Sequence, residues 1–318
     1  MIDILLATFN GERYLSEQID SILYQTFDDW NLLISDDGSS DETLDIIRHY
    51  ESIDERVHCI NWKQRLGGAC PNFMFLLRNS TSPYCMFCDQ DDVWLPNKIE
   101  DSVAEMQRLE SIASENEPIL VFTDMAVVDK NLAILNPSFE AHASIDPKST
   151  SLSSVLSNPI AAGCTMLLNA PLRDLVLQTP SGQAMDMHDW WITLVAAAFG
   201  TIGHVDSQTN LYRQHDSNEF GAIEKTYLKS FLTLRNAPQG ILKILAQAES
   251  FYEVYGEKLS PQDRDRVRAL ASVRDAPRLT RLPLMLRSKS WKHGVLRSFG
   301  EAVIINFMSM GEYPLNHC

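Results

Sequence analysis

Apolar and polar positions fall into alternating blocks along the first two thirds of the chain. Ile4-Leu5-Leu6-Ala7 is a short apolar run that ends at Thr8-Phe9-Asn10-Gly11, after which Leu15, Ile19, Ile22 and Leu23 recur at helical spacing. Trp30-Asn31-Leu32-Leu33-Ile34-Ser35 predicts the next strand, closed by Asp36-Asp37-Gly38. Ser39 with Glu42 three residues later has the form of a capping box, and Leu44, Ile46, Ile47 and Tyr50 continue a helix from it. Further strands are expected at 57–62, 84–88 and 119–123, with helices near 71–78 and 97–111. Strand-helix-strand repetition with almost continuously apolar strands predicts an α/β fold, a mostly parallel sheet flanked by helices on both faces. Ligands in such sheets bind beyond the C-terminal ends of the strands.

Past residue 220 the texture changes. Leu228, Phe231, Leu232, Leu242, Ile244, Leu245 and Phe251 recur at helical spacing, interrupted at Pro238-Gln239-Gly240 and Ser260-Pro261. The expected organisation is one α/β domain over 1–220 and a C-terminal helical region over 221–318. Charge sharpens that division. The whole chain carries −15, which argues against a nucleic-acid partner, yet seven Lys or Arg and three acids fall within 271–318, a local +4. Within 278–311 these basic residues alternate with Leu282, Leu284, Met285, Leu286, Trp291, Val295, Leu296, Phe299, Val303, Ile304, Ile305 and Phe307. That pattern suits interfacial amphipathic helices, a helical cap or a dimer contact. The N-terminus lacks the basic region and long apolar stretch of a secretory signal, and the longest nearly apolar run, from Trp190 to Phe199, falls far short of the roughly 20 residues that span a bilayer. The expected location is the cytoplasm, with peripheral contact at the inner membrane face through 278–311. Six cysteines in such a chain are expected as free thiols, and Cys85 and Cys88 as core residues of a strand.

The candidate chemistry lies in acids. Asp36-Asp37 and Asp89-Gln90-Asp91-Asp92 each follow an apolar strand directly, and carboxylates packed so closely need cations or hydrogen-bond donors to stay ionised. Neither Gly-x-Gly-x-x-Gly nor Gly-x-x-x-x-Gly-Lys follows the first strand, which sets aside dinucleotide-dependent enzymes and P-loop ATPases. Gly67-Gly68 before a helix can bring backbone amides near an anion, or can simply turn the chain. Carboxylates, in contrast, bind a sugar nucleotide's diphosphate through a hard cation such as Mg²⁺ or Mn²⁺.

Four segments in order, Ala7-Thr8-Phe9-Asn10-Gly11, Gln25-Thr26-Phe27, Ser35-Asp36-Asp37-Gly38-Ser39-Ser40-Asp41-Glu42-Thr43 and Cys88-Asp89-Gln90-Asp91-Asp92-Val93-Trp94, resemble glycosyltransferase family 2, inverting enzymes of the GT-A fold. The resemblance spans about residues 1–220. It implies a nucleotide-sugar donor, with Thr8, Asn10, Asp36 and Asp37 near the nucleoside and Asp89-x-Asp91 as the metal-binding pair. Asp92 is implied to support that pair or approach the donor sugar. His188-Asp189-Trp190-Trp191 resembles the family's acidic base motif at the head of a helix, making Asp189 the catalytic base. Tyr212-Arg213-Gln214-His215 resembles the closing segment of rhamnosyltransferase-like members, where Arg213 or His215 approaches the diphosphate or the metal. Trp94, Trp190 and Trp191 are core residues by composition, but aromatic faces also stack on sugars, so they stand as acceptor-side candidates.

These residues together imply a metal-assisted hexosyltransferase that moves a sugar, with L-rhamnose from dTDP-L-rhamnose preferred and a UDP-hexose as the alternative, to a hydroxyl of a cell-surface or lipid-linked glycan. Two other classes are less favoured. A nucleotide-sugar pyrophosphorylase lacks its Gly-rich, basic first loop here, and a non-catalytic binding module predicts a missing acid where none is missing.

Overall fold

The structure is a computed structural model that describes residues 1–62, 64–215, 229–291, 304–305 and 314–317. The chain divides into two compact units, one of residues 1–147, 161–178 and 200–222, the other of residues 148–160, 179–199 and 223–318. In place of the single cut expected near 220, the chain passes between the units five times.

Along the chain the first unit supplies β1 (Ile2–Thr8), α1 (Leu15–Leu23), β2 (Trp30–Asp36), α2 (Thr43–Ile53), β3 (Val57–Asn61), α3 (Ala69–Asn79), β4 (Tyr84–Cys88), β5 (Val93–Trp94), α4 (Lys98–Glu110), β6 (Ile119–Val128), β7 (Ile134–Asn136) and α5 (Phe139–Ala143). The second supplies α6 (Leu152–Val155), the first β8 (Met166–Asn169) and α7 (Ala170–Val176), and the second β9 (Ala184–Met185) and α8 (His188–Phe199). β10 (Thr201–Arg213) returns to the first unit, and α9 (Lys229–Tyr255), α10 (Pro261–Ala271), α11 (Arg278–Ser288) and β11 (Asn316–His317) belong to the second.

The strands of the first unit form a sheet of order β3-β2-β1-β4-β8-β6-β10-β5, with β7 on β6. β1 pairs in parallel with β2 and β4, β2 with β3, and β6 with β10, while β8 runs antiparallel between β4 and β6. The expected parallel half is thus present and is extended by a mixed half. Leu15, Ile19 and Ile22 of α1 and Leu44, Ile47 and Tyr50 of α2 pack with Ile4, Leu6, Leu32 and Ile34 in one core. Each fully buried Leu or Ile there contributes about 1.5–3 kcal/mol. All ten residues of β6 are buried, as a central strand covered on both faces requires.

One polar residue inside this sheet has a structural explanation. Asp3 in β1 is buried and accepts hydrogen bonds from Ser80 Oγ (2.8 Å), Thr81 N (2.9 Å), Ser82 N (3.0 Å) and Ser82 Oγ (2.7 Å), so it ties the α3–β4 turn to the central strand. Burial raises its carboxyl, but the bonds from Ser82, Ser80 and Thr81 together outweigh burial and hold it below its ordinary value.

Several local expectations are corrected. The capping box does not form: α2 begins at Thr43 after a Glu42 cap that makes no side-chain bond, and Ser39 turns to Asp36 instead. Pro238 does not interrupt α9, which runs through it. A mid-helix proline costs about 3 kcal/mol, and the burial of Ile241, Ile244, Leu245, Ala248, Phe251 and Tyr255 along the following turns offsets that cost. The second interruption does occur, with Ser260 Oγ capping Asp263 N (3.1 Å) and Pro261 opening α10. Cys59, Cys85, Cys88 and Cys164 are free, but Cys70 is disulfide-bonded. The free-thiol expectation rested on the absence of an export signal, which places no constraint on which side chains meet. Of the C-terminal pattern, Leu228, Val295, Leu296, Phe299, Val303 and Phe307, with Lys292, Arg297 and Cys318, lie outside the described residues.

Candidate active site

The register of the sheet brings three loops to one edge. Thr8 at the end of β1 stands opposite Asp36 at the end of β2, and Leu6 opposite Cys88 at the end of β4. The loop after β1 is then held amide by amide. Phe9 N donates to Gln90 Oε1 (2.8 Å), Asn10 N to Ser39 Oγ (2.8 Å), Gly11 N to Thr43 Oγ1 (2.8 Å) and Glu12 N to Asp41 Oδ2 (3.1 Å). Four consecutive donors are therefore consumed by the protein itself, and the loop offers no amide cradle to a phosphate.

The first acid pair is also turned inward. Asp36 is fully buried, and its carboxylate accepts from Gly38 N (3.0 Å), Ser39 N (2.8 Å), Ser39 Oγ (2.5 Å) and Thr8 Oγ1 (3.1 Å). Asp36 and Thr8, expected at the nucleoside, are loop ties. Asp37 accepts from Leu66 N, Gly67 N (3.1 Å) and Gly68 N (2.8 Å). Gly67 and Gly68 adopt φ of 98° and 129°, which lets successive amides converge on one carboxylate. Amides at Gly67-Gly68 do meet an anion, but it is a side chain of the protein. Asn10, at φ 47°, is exposed, and its Oδ1 accepts from Ser40 N (2.9 Å). Beside it the ring of Phe9 is 43% exposed, with the Arg65 guanidinium 5.9 Å from its centre.

The acid loop separates into an outer and an inner part. Asp91 faces His215, whose Nε2 lies 3.0 Å from Asp91 Oδ2, and the His215 ring stacks on Tyr14 at 4.8 Å. Asp92 is fully buried and accepts from Arg213 N (3.1 Å) and Asn210 Nδ2 (3.2 Å). Asp89, Asp92 and Cys164 bring possible ligand atoms within 4.8 Å of one another. Asn210 Oδ1, buried there, has no hydrogen-bond partner among the described residues. Burial and the charges of Asp89 and Asp91 push the Asp92 carboxyl well up, and burial with the charges of Asp92 and Asp89 pushes the Cys164 thiol well up. Lys98 lies buried beneath Trp94, and burial pushes its ammonium down to about 8 against the pull of Cys164, Cys88 and Asp92. Asp92 is thus an internal strut rather than a group presented to a donor.

Arg213, expected near the diphosphate, is enclosed as well. Its Nε donates to Asp91 O (2.8 Å) and Nη1 to Lys130 O (3.0 Å), its Nη2 pairs with Glu17, and its guanidinium lies 4.5 Å from the centre of Tyr14. It fixes the acid loop from behind.

Asp189 belongs to the second unit and stands in the first turn of α8, as expected, with Oδ1 accepting from Trp190 N (2.6 Å). The acceptor-side tryptophans are corrected to core residues. Trp190 Nε1 donates to Val155 O (2.8 Å), Trp191 Nε1 to Thr179 Oγ1 (3.0 Å), Trp191 packs on Phe251 and Tyr255, and Trp94 joins the core of the first unit. Near Asp189, Asp186 pairs with Lys243 (2.6 Å), and burial raises its carboxyl although Lys243 opposes the shift.

The residues missed in the sequence are Phe9, Tyr14, Glu17, Gln90, Cys164 and Asn210. Phe9 and Gln90 sat inside quoted motifs and were passed over for their acidic or polar neighbours. Glu17 and Arg213 are 196 residues apart, and no local pattern joins them.

The mixed sheet, with the acid loop at the edge of its parallel half, has the GT-A fold. Residues 3–114 match the family described as Glycosyl transferase family 2, so this stretch of the chain is a domain of that kind and the chain is a transferase. It is 27% identical over 227 residues to the dTDP-rhamnosyl transferase RfbG of Shigella flexneri, covering 68% of this chain and 74% of that one. Over 106 residues it is 31% identical to WfgD of Escherichia coli, a UDP-Glc:alpha-D-GlcNAc-diphosphoundecaprenol beta-1,3-glucosyltransferase, covering 33% and 41%. Among solved structures, S. aureus TarS (residues 1–349, in complex with UDP-GlcNAc) aligns over 96% of this chain and 90% of that one, with TM-score 0.55 and 14% identity.

Proposed function

We propose that the chain transfers a sugar from a nucleoside-diphosphate donor to a hydroxyl of a growing cell-surface glycan, with dTDP-L-rhamnose as the donor. The observation that carries the donor site is the acid loop, in which Asp91 is paired to His215 and Gln90, between Asp91 and Asp89, is bonded to the loop that bears exposed Phe9. Phe9 and Asn10 would face the base and ribose, with Asp37 at the back of that pocket. Asp91, Asp89 and His215 would hold Mg²⁺ or Mn²⁺, a donor set of carboxylate oxygens and one imidazole that suits a hard to borderline cation. When bound, the cation supplies positive charge against the departing diphosphate.

Asp189 is the base in this scheme. The acceptor hydroxyl attacks the anomeric carbon on the face opposite the diphosphate while the Asp189 carboxylate takes its proton, and a single displacement inverts the configuration. The sugar is supported by the likeness to RfbG. A UDP-hexose is the second reading, favoured by the names of WfgD and TarS's ligand, and WfgD's name also favours a lipid-linked acceptor. The enzyme would then work in the cytoplasm at the inner membrane face, touching it through 278–311, where Leu279 (93% exposed) and Leu286 (61%) of α11 stand beside basic residues.

Thermal-shift measurements against dTDP-rhamnose, UDP-glucose, UDP-GlcNAc and GDP-mannose with Mn²⁺ test the donor. A shift with dTDP-rhamnose alone is expected, and a shift only with UDP-sugars selects the second reading. Turnover with Asp189→Asn at near wild-type level would remove Asp189 as the base.

A further inference from the structure

The side chain between the two metal-loop acids makes a contact that neither the motif nor the proposed chemistry calls for. Gln90 closes a two-point bond with the backbone of Phe9: Phe9 N donates to Oε1 (2.8 Å) and Gln90 Nε2 donates to Phe9 O (3.0 Å). The backbone donor and acceptor fix which end of the amide is which, because the flipped amide would set like against like at both points. The β1–β4 ladder ends at Leu6 and Cys88, so Gln90 supplies with its side chain a pairing that the backbones have stopped making.

A second observation marks the same contact as selected for space. A Cβ built on Gly11 would lie 2.3 Å from Gln90 Oε1 and 2.8 Å from its Cδ. Any larger residue at 11 expels the amide. The other three amides of the loop, at Asn10, Gly11 and Glu12, are held by Ser39, Thr43 and Asp41 of the β2–α2 segment.

We propose that Gln90 is a positioning residue that locks the cation-holding loop to the nucleoside-facing loop, so that each ligand binds to a site the other has already ordered. The proposal rests on the donor-site reading above. Without the clasp, Asp89 and Asp91 remain as ligands and Phe9 remains as a platform, but fixing one loop no longer restricts the other. The coupling between cation and nucleotide, not the intrinsic affinity for either, is what Gln90 supplies.

Calorimetric titration of dTDP and UDP into the full chain, with and without Mn²⁺, gives the factor by which the cation tightens nucleotide binding. Gln90→Met keeps the side chain's length and removes both bonds, and Gly11→Ala attacks the clasp from the opposite side. Both are expected to reduce the factor about fivefold or more, into the range of ordinary coupling energies, with cation-free nucleotide affinity changed less than about twofold. A general weakening of the fold would lower both affinities together and lower the melting temperature, so it reads differently. If wild type shows the cation effect and Gln90→Met retains it in full, the clasp is overturned while the donor site stands. If wild type shows no cation effect on either nucleotide, the donor-site reading and the clasp fall together.

Discussion

The acids of this chain divide by what their oxygens already hold. Asp36 and Asp92 have their carboxylates engaged from inside, whereas Asp91 is engaged by a histidine, a residue type that can share a cation with it. Asp91→Ala is therefore expected to abolish the tightening of nucleotide binding by Mn²⁺ while leaving the fold intact, and identical nucleotide affinity with and without chelator in wild type would count against it. Asp189→Asn is expected to lower the transfer rate about a thousandfold or more with nucleotide affinity near wild type, since the amide keeps the helix-end hydrogen bond but takes no proton. Single-turnover transfer and nucleotide titration on the same sample separate the two effects. The sequence made the acids visible because carboxylates beside apolar strands need a reason. It did not show which of them point inward, because that depends on partners such as Asn210 and Arg213, more than a hundred residues away.

Strands and helices were legible where burial on one face dictates a period. α1, α2 and the strands β1, β2 and β4 follow the apolar pattern closely, while the mixed half of the sheet did not announce itself: β8 is only four residues long and β10 carries eight polar or charged residues among its thirteen, Tyr212 not counted. The central strand also offers a pH test of its own. Asp3 has its carboxyl held below its ordinary value, so its contribution is present above about pH 4 and is lost as pH falls through the folded-state value. Asp3→Asn is expected to cost about 1–3 kcal/mol at pH 7, the price of unsatisfied donors at the α3–β4 turn, with the gap to wild type narrowing below about pH 3. Denaturant unfolding at both pH values measures it. A gap that does not narrow in acid would show that the ionised form is not what Asp3 contributes.

For the molecule as a whole, the acidic body and the basic C-terminal stretch ask different things of their surroundings. Among the described residues no helix is long and apolar enough to cross a membrane, and the contact proposed through 278–311 is one along a surface. On α11, Leu279 and Leu286 are exposed, while Arg287 is already paired with Asp265 and Arg281 is buried with Nη1 on Ile305 O (3.1 Å). Replacing both leucines by serine in the full chain is expected to reduce sedimentation with vesicles containing anionic lipid several-fold and to leave thermal stability unchanged. Equal sedimentation of variant and wild type would remove the membrane contact through this helix.

Because the two units share the chain in turns, their inheritance is linked. A break at residue 222 would leave 148–160 and 179–199 attached to the first unit, with Thr179 and Trp191 stripped of the Tyr255 and Phe251 that cover them. Recombination between two genes of this kind keeps both units whole only when its joint avoids the interval in which the chain changes sides. The segment that carries Asp189 and the segments that carry the acid loop are therefore expected to travel through evolution together, and new specificities to arise by substitution in place rather than by exchange of a terminal half.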